Sequence, residues 1–127
     1  MLKILSIVEK AYRGTLEEQD DTILRLNAMF RKSGADLPFL LRSNAVNYAV
    51  QGQDASGLKI DTYSQKHAPD IAGDVAQILG TGAPVYVVSE DLQERGIRVE
   101  QLVDGVKTLS RSEIPALFDE HQQVWHW

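Results

Sequence analysis

The residues that could do chemistry in this chain are few. Glu90 and Asp91 stand side by side, His67, His121 and His126 are the three histidines, and Ser43, Ser89 and Ser110 each follow an apolar run. Adjacent carboxylates can divide acid and base roles, but neighbours on a helix point about 100° apart, so this pair also reads as first-turn partners of a helix dipole. His67 stands alone, and His121 and His126 are five apart, off the four-residue face of a helix, so no metal site is expected. None of the serines has a neighbouring base or a G-x-S-x-G elbow. The chain has no cysteine, which excludes disulfides, thiolate–zinc sites and thiol nucleophiles. Phosphate cradles need glycines between a strand and the helix after it. Only Gly14 qualifies, since Gly80 and Gly82 follow a helix and precede a strand, and no cofactor is expected.

Composition narrows the partners. The 127 residues carry 13 basic and 18 acidic side chains, a net charge of −5. That balance argues against a broad nucleic-acid or anionic-membrane footprint, so neither partner is expected. The length suits one domain spanning residues 1–127. No run approaches the ~18 apolar residues of a membrane helix, and residues 2–8 are too short for a signal-peptide core. A cytoplasmic location is expected.

Residues 2–8 form a nearly continuous apolar run, which predicts a strand covered on both faces. Thr15-Leu16-Glu17-Glu18 is a capping box. The helix it announces repeats Ile23, Leu26 and Phe30 on one face, flanked by Leu24 and Ala28, and stops at Lys32-Ser33-Gly34. Residues 37–41 are the second strand, with Pro38 at its start. The polar corner Arg42-Ser43-Asn44 then leads into a short helix carrying Ala45, Val46, Ala49 and Val50. Residues 58–63 contain an extended piece. Pro69-Asp70 opens a helix whose face is Ile71, Val75, Ile78 and Leu79. Residues 84–88 are the third strand, residues 92–95 one helical turn, and residues 99–103 a further short helix. Asp104-Gly105 then leads into Val106-Lys107-Thr108-Leu109. Ser110-Arg111-Ser112-Glu113 is a second capping box, opening a helix through Phe118, and residues 124–127 read as a last strand. Strands alternating with helices predict an α/β fold, a three-layer sandwich on a mostly parallel sheet of about five strands.

In such a sheet the carboxyl ends of the strands share one edge, where ligands bind. The first exit brings Glu9, Lys10, Tyr12 and Arg13 there. Arg42, Asn44, Ser89, Glu90 and Arg95 are the candidate ligand-binding residues from the later exits. Trp125 and Trp127 are costly to leave in water and are candidate interface residues.

Residues 41–52, LRSNAVNYAVQG, look like the strand exit and short helix of the DsrE/DsrF-like family. Residues 82–97, GAPVYVVSEDLQERGI, resemble that family's third strand and the L-x-x-R-G-[IV] turn after it, and Leu102-Val103-Asp104-Gly105-Val106 also fits. The resemblance covers most of the chain and leaves residues 53–67 without a counterpart. It implies a small α/β/α sandwich assembled into trimers or hexamers, as in the DsrEFH and TusBCD complexes, whose members pass persulfide sulfur between proteins. The family's acceptor cysteine lies eight residues before the glycine of the R-G turn. Counting back from Gly96 lands on Val88. Neighbouring Ser89 cannot hold sulfane sulfur as a persulfide, and the Ser89-Glu90-Asp91-Leu92 exit is closer to the cysteine-free DsrH/TusB branch.

The resemblance therefore implies a cysteine-free, homo-oligomeric accessory or binding subunit in sulfur transfer, with a sulfur-carrier protein as partner and an anion pocket at Arg42 and Arg95. The alternative is a small-molecule enzyme using Glu90, Asp91 or His67 as acid–base groups.

Overall fold

The computed structural model describes residues 2–11 and 22–127. The capping box at Thr15 to Glu18, together with Tyr12, Arg13 and Gly14, lies outside the described residues. Five strands form one parallel sheet: β1 (Ile4–Val8), β2 (Phe39–Leu41), β5 (Val85–Val88), β6 (Lys107–Leu109) and β7 (Gln123–His126). The order is β6-β5-β2-β1-β7. A separate antiparallel hairpin, β3 (Lys59–Ile60) and β4 (Tyr63–Ser64), replaces the single extended piece expected at 58–63, because the chain turns at Asp61, where φ is +52°.

Strand order decides where the helices go. From β1 through β2 and β5 to β6 every crossover steps the same way, using α1 (Thr22–Lys32), α2 (Ile71–Gly80) and α3 (Ser89–Glu94). The last crossover, through α4 (Ile114–Asp119), returns past those strands to place β7 on the far side of β1. Right-handed connections running in opposite directions put their helices on opposite faces. Two apolar clusters follow. Ile4, Val8, Phe39, Leu41, Val85 and Val87 pack with Leu24 and Ala28 of α1 and with Ile71, Val75 and Ile78 of α2. Leu5, Ile7, Leu40, Val88 and Leu109 pack with Leu117 of α4.

The second helix keeps its expected face, and its start is fixed by Asp70, whose carboxylate accepts from the Gly73 N–H at 3.0 Å. The second capping box is also formed: the Ser110 N–H donates to Glu113 at 3.0 Å, leading through a 3-10 turn (Arg111–Glu113) into α4. The first helix departs from expectation. It buries Leu24, Asn27 and Ala28, while Leu26 and Phe30 stay exposed beside Met29. The cause is Ser6, a fully buried hydroxyl within β1 that needs a polar partner. Its Oγ donates to Asn27 Oδ1 at 2.9 Å, and Asn27 in turn donates to the Ile23 carbonyl at 2.8 Å.

Candidate functional site

β2, β5 and β6 are adjacent, so their carboxyl ends bring Arg42, Ser89 and Ser110 to one edge of the sheet. Two acids from α3 tie these exits together. Asp91 is buried, and its Oδ2 accepts from the Ser43 N–H at 2.7 Å while Oδ1 accepts from the Arg111 guanidinium at 2.8 Å. Ser43 begins the 3-10 turn Ser43–Ala49 with φ of +53°, the left-handed region that a side chain disfavours. The Asp91 carboxylate is what holds that N–H. Glu90 accepts from the Arg111 N–H with both oxygens, at 2.9 and 3.1 Å, and so caps the turn that follows β6. The hydrogen bond to Asp91 raises the pKa of the Arg111 guanidinium further above its ordinary value, which secures its charge.

Arg95 completes the cluster. Its Nη2 and Nε donate to Asn44 Oδ1 at 2.8 and 3.2 Å, and its Nη1 donates to the Asp91 carbonyl at 3.1 Å. Arg95 therefore joins Asn44 at the β2 exit to α3, and Gly96, at φ +67°, ends the turn behind it. Arg42 is half-buried at the same exit, and its guanidinium has no hydrogen bond or ion pair among the described residues. Val88, the position at which the resemblance sets the sulfur acceptor, is buried within the second apolar cluster. Ser89 is half-buried as the first residue of α3. His67 lies elsewhere in the chain, between β4 and α2.

The candidates Asn44, Glu90 and Arg95 thus meet in one network, with Asp91 at its centre. Arg111 was not among the sequence-derived candidates, and Ser43 was singled out for its hydroxyl, not for the N–H through which it joins the network. Arg111 was masked by the capping box it belongs to, although it follows a strand exit, which was the available signal. Ser43 enters through its backbone, which a residue type does not advertise.

The β7 side presents a different surface. Leu26, Phe30, Trp125, His126 and Trp127 line an open groove of ≈ 430 Å³. Phe30 and Trp125 meet edge to face, with ring centroids 5.5 Å apart at 70°. The Trp127 indole N–H donates to the buried Ser6 Oγ at 3.0 Å, so this tryptophan packs on its own sheet. His126 Nε2 lies 2.7 Å from Glu9 Oε2. Among the described residues no group of three or more acidic or histidine side chains is placed to hold a metal, and no helix is long and apolar enough to cross a membrane.

No family model matches the sequence, and no curated protein does. Solved structures do. The crystal structure of the YchN protein from E. coli matches with a TM-score of 0.76 and 23% identity, over 100% of both chains. A protein of unknown function, MTH1491 from Methanobacterium thermoautotrophicum, matches with a TM-score of 0.67 and 14% identity, over 98% of this chain and 99% of that one. At these identities the likeness establishes that this chain shares their α/β fold and nothing of its activity.

Proposed function

We propose that this chain is an accessory or binding subunit with a DsrE-like fold that serves intracellular sulfur transfer without itself carrying sulfur, and that it self-associates. The observation that carries this reading is the end of β5. There a buried Val88 and a half-buried Ser89 occupy the edge at which the resemblance calls for a thiol, and the chain has no cysteine elsewhere. Glu90, Asp91 and Arg95 at that edge are each held by other groups of the chain. Glu90 and Asp91 serve backbone N–H groups and Arg111, and Arg95 serves Asn44 and a carbonyl. Carboxylates held in this way support a rigid docking edge better than an acid–base pair that must exchange protons with a substrate. Arg42 is half-buried at the β2 exit with no internal partner among the described residues, so it is the contact for an anionic group on the sulfur-carrying partner.

The test is binding of the chain to a persulfide-bearing carrier protein, by sedimentation or calorimetry. Binding that weakens at least tenfold in Arg42→Ala supports the reading. No binding, or a covalent sulfur adduct on this chain, overturns it.

A further inference from the structure

The two edges of the sheet are finished differently. An exposed edge strand invites pairing with another chain, and proteins guard such edges with charge, proline, bulges or covering elements. At the β6 edge the exposed residues are Lys107 and Thr108. At the β7 edge, Gln123-Val124-Trp125-His126, no residue is a lysine, arginine, acid or proline. Backbone groups alternate along a strand. Gln123 and Trp127 donate toward β1, to the carbonyls of Lys3 and Ile7, so the N–H and C=O groups of Val124 and His126 point away from the sheet. Beside that row runs the groove of Leu26, Phe30 and Trp125, with Met29 57% exposed on the same helix.

We infer that β7 pairs antiparallel with β7 of a second copy of this chain, joining the two sheets across a two-fold axis. The strand is complementary to itself. In the register that uses both of its outward-facing residues, Val124 lies opposite His126 of the second copy, and His126 opposite Val124 of the second copy. Trp125 then lies on the axis, opposite its own equivalent. The outward residues form the hydrogen-bonded pairs and Trp125 the closer non-hydrogen-bonded pair, with Cα atoms roughly 4.5 Å apart. Because Trp125 sits on the α1 face against Phe30, the same pairing brings the two grooves together and covers the exposed Leu26 and Phe30 of both copies. Such an interface is isologous and closes at two copies, leaving the β2, β5 and β6 exits free. This inference rests on the self-association proposed above and is independent of the sulfur-transfer reading.

A chain without cysteine permits a clean test on the full-length protein. In Trp125→Cys the introduced thiols face each other across the axis within disulfide reach. Diamide, which takes up the two hydrogens as the bond forms, should convert that variant to a covalent dimer. Val124→Cys should not crosslink under the same conditions, and if it does the register is wrong. Val124→Pro removes only an N–H that points away from β1, so it should retain the fold by circular dichroism and sediment as a smaller species than the unmodified chain. A control at the hairpin, Ile60→Ser, should leave the sedimentation unchanged. An unmodified chain that sediments as a monomer overturns both self-association and this interface. An oligomer that survives Val124→Pro, with no crosslink through the Trp125→Cys variant, overturns the β7 interface and leaves self-association standing. If Val124→Pro unfolds, the crosslinking pair decides alone.

Discussion

Replacing Asp91 with alanine should destabilise the protein far more than its place in a short surface helix suggests. The carboxylate is buried and accepts at 2.7 Å from the Ser43 N–H and at 2.8 Å from Arg111. A hydrogen bond to a charged acceptor contributes roughly 1.5–3 kcal/mol. The Arg111 contact reaches solvent and is screened, so most of the effect belongs to the Ser43 N–H. That N–H sits on a residue at φ +53°, a conformation costing about 1–2 kcal/mol that the bond helps to hold. Losing the bond frees Ser43 to relax, which recovers part of the strain and bounds the net loss at about 2–3 kcal/mol. The assay is equilibrium urea unfolding followed by tryptophan fluorescence and circular dichroism, with coincident transitions. Arg111→Ala should cost much less than Asp91→Ala. Ser43→Gly should be neutral or stabilising, because glycine adopts the same φ freely. The reasoning fails if Asp91→Ala loses under about 1 kcal/mol, or no more than Arg111→Ala does.

Other sites make equally definite predictions. A double-mutant cycle of Ser6→Ala and Trp127→Phe, read by urea unfolding, should give a coupling of about 1 kcal/mol, since the hydroxyl accepts the indole N–H at 3.0 Å. Asp70→Ala should cost about 1 kcal/mol as a lost helix cap. Gly73→Ala should not stabilise the helix despite alanine's propensity, because its Cβ would collide with the capping carboxylate of Asp70; in the Asp70→Ala background it should stabilise, by up to about 1 kcal/mol. The Glu113 carboxyl is held below its ordinary pKa by the Ser110 N–H and hydroxyl. Its folded pKa is the lower one, so its contribution is complete above the unfolded value and fades as pH falls through the depressed value. Stability curves of the parent and Glu113→Gln should therefore converge toward acid pH, and parallel curves would contradict the capping role.

Much of the fold was legible because the three central strands, β1, β2 and β5, are short, apolar and punctuated. Pro38, Asp70 and the Ser110–Glu113 box mark starts that the structure keeps, and Gly34 and Gly96 mark stops at positive φ. The face of α1 was not legible. Its apolar spacing favours Ile23, Leu26 and Phe30, yet a single buried hydroxyl from a distant strand turns Asn27 inward and leaves Leu26 and Phe30 at the surface. Tertiary context outweighs periodicity where one polar atom must be satisfied. The order of strands was likewise unreadable, and with it the fact that β7 is an edge. At the site, types and exits located Asn44, Glu90 and Arg95. The pairing of Asp91 with a backbone N–H across 48 residues has no local signature.

The central claim is that this chain binds within a sulfur-transfer system without holding sulfur covalently. The most direct measurement mixes the purified chain with a persulfide-loaded carrier protein and reads the complex by sedimentation and the chain by intact mass. A complex weakened by Arg42→Ala, with the mass of this chain unchanged, is the predicted result. Absence of a complex, or sulfur retained on this chain after separation, would contradict it.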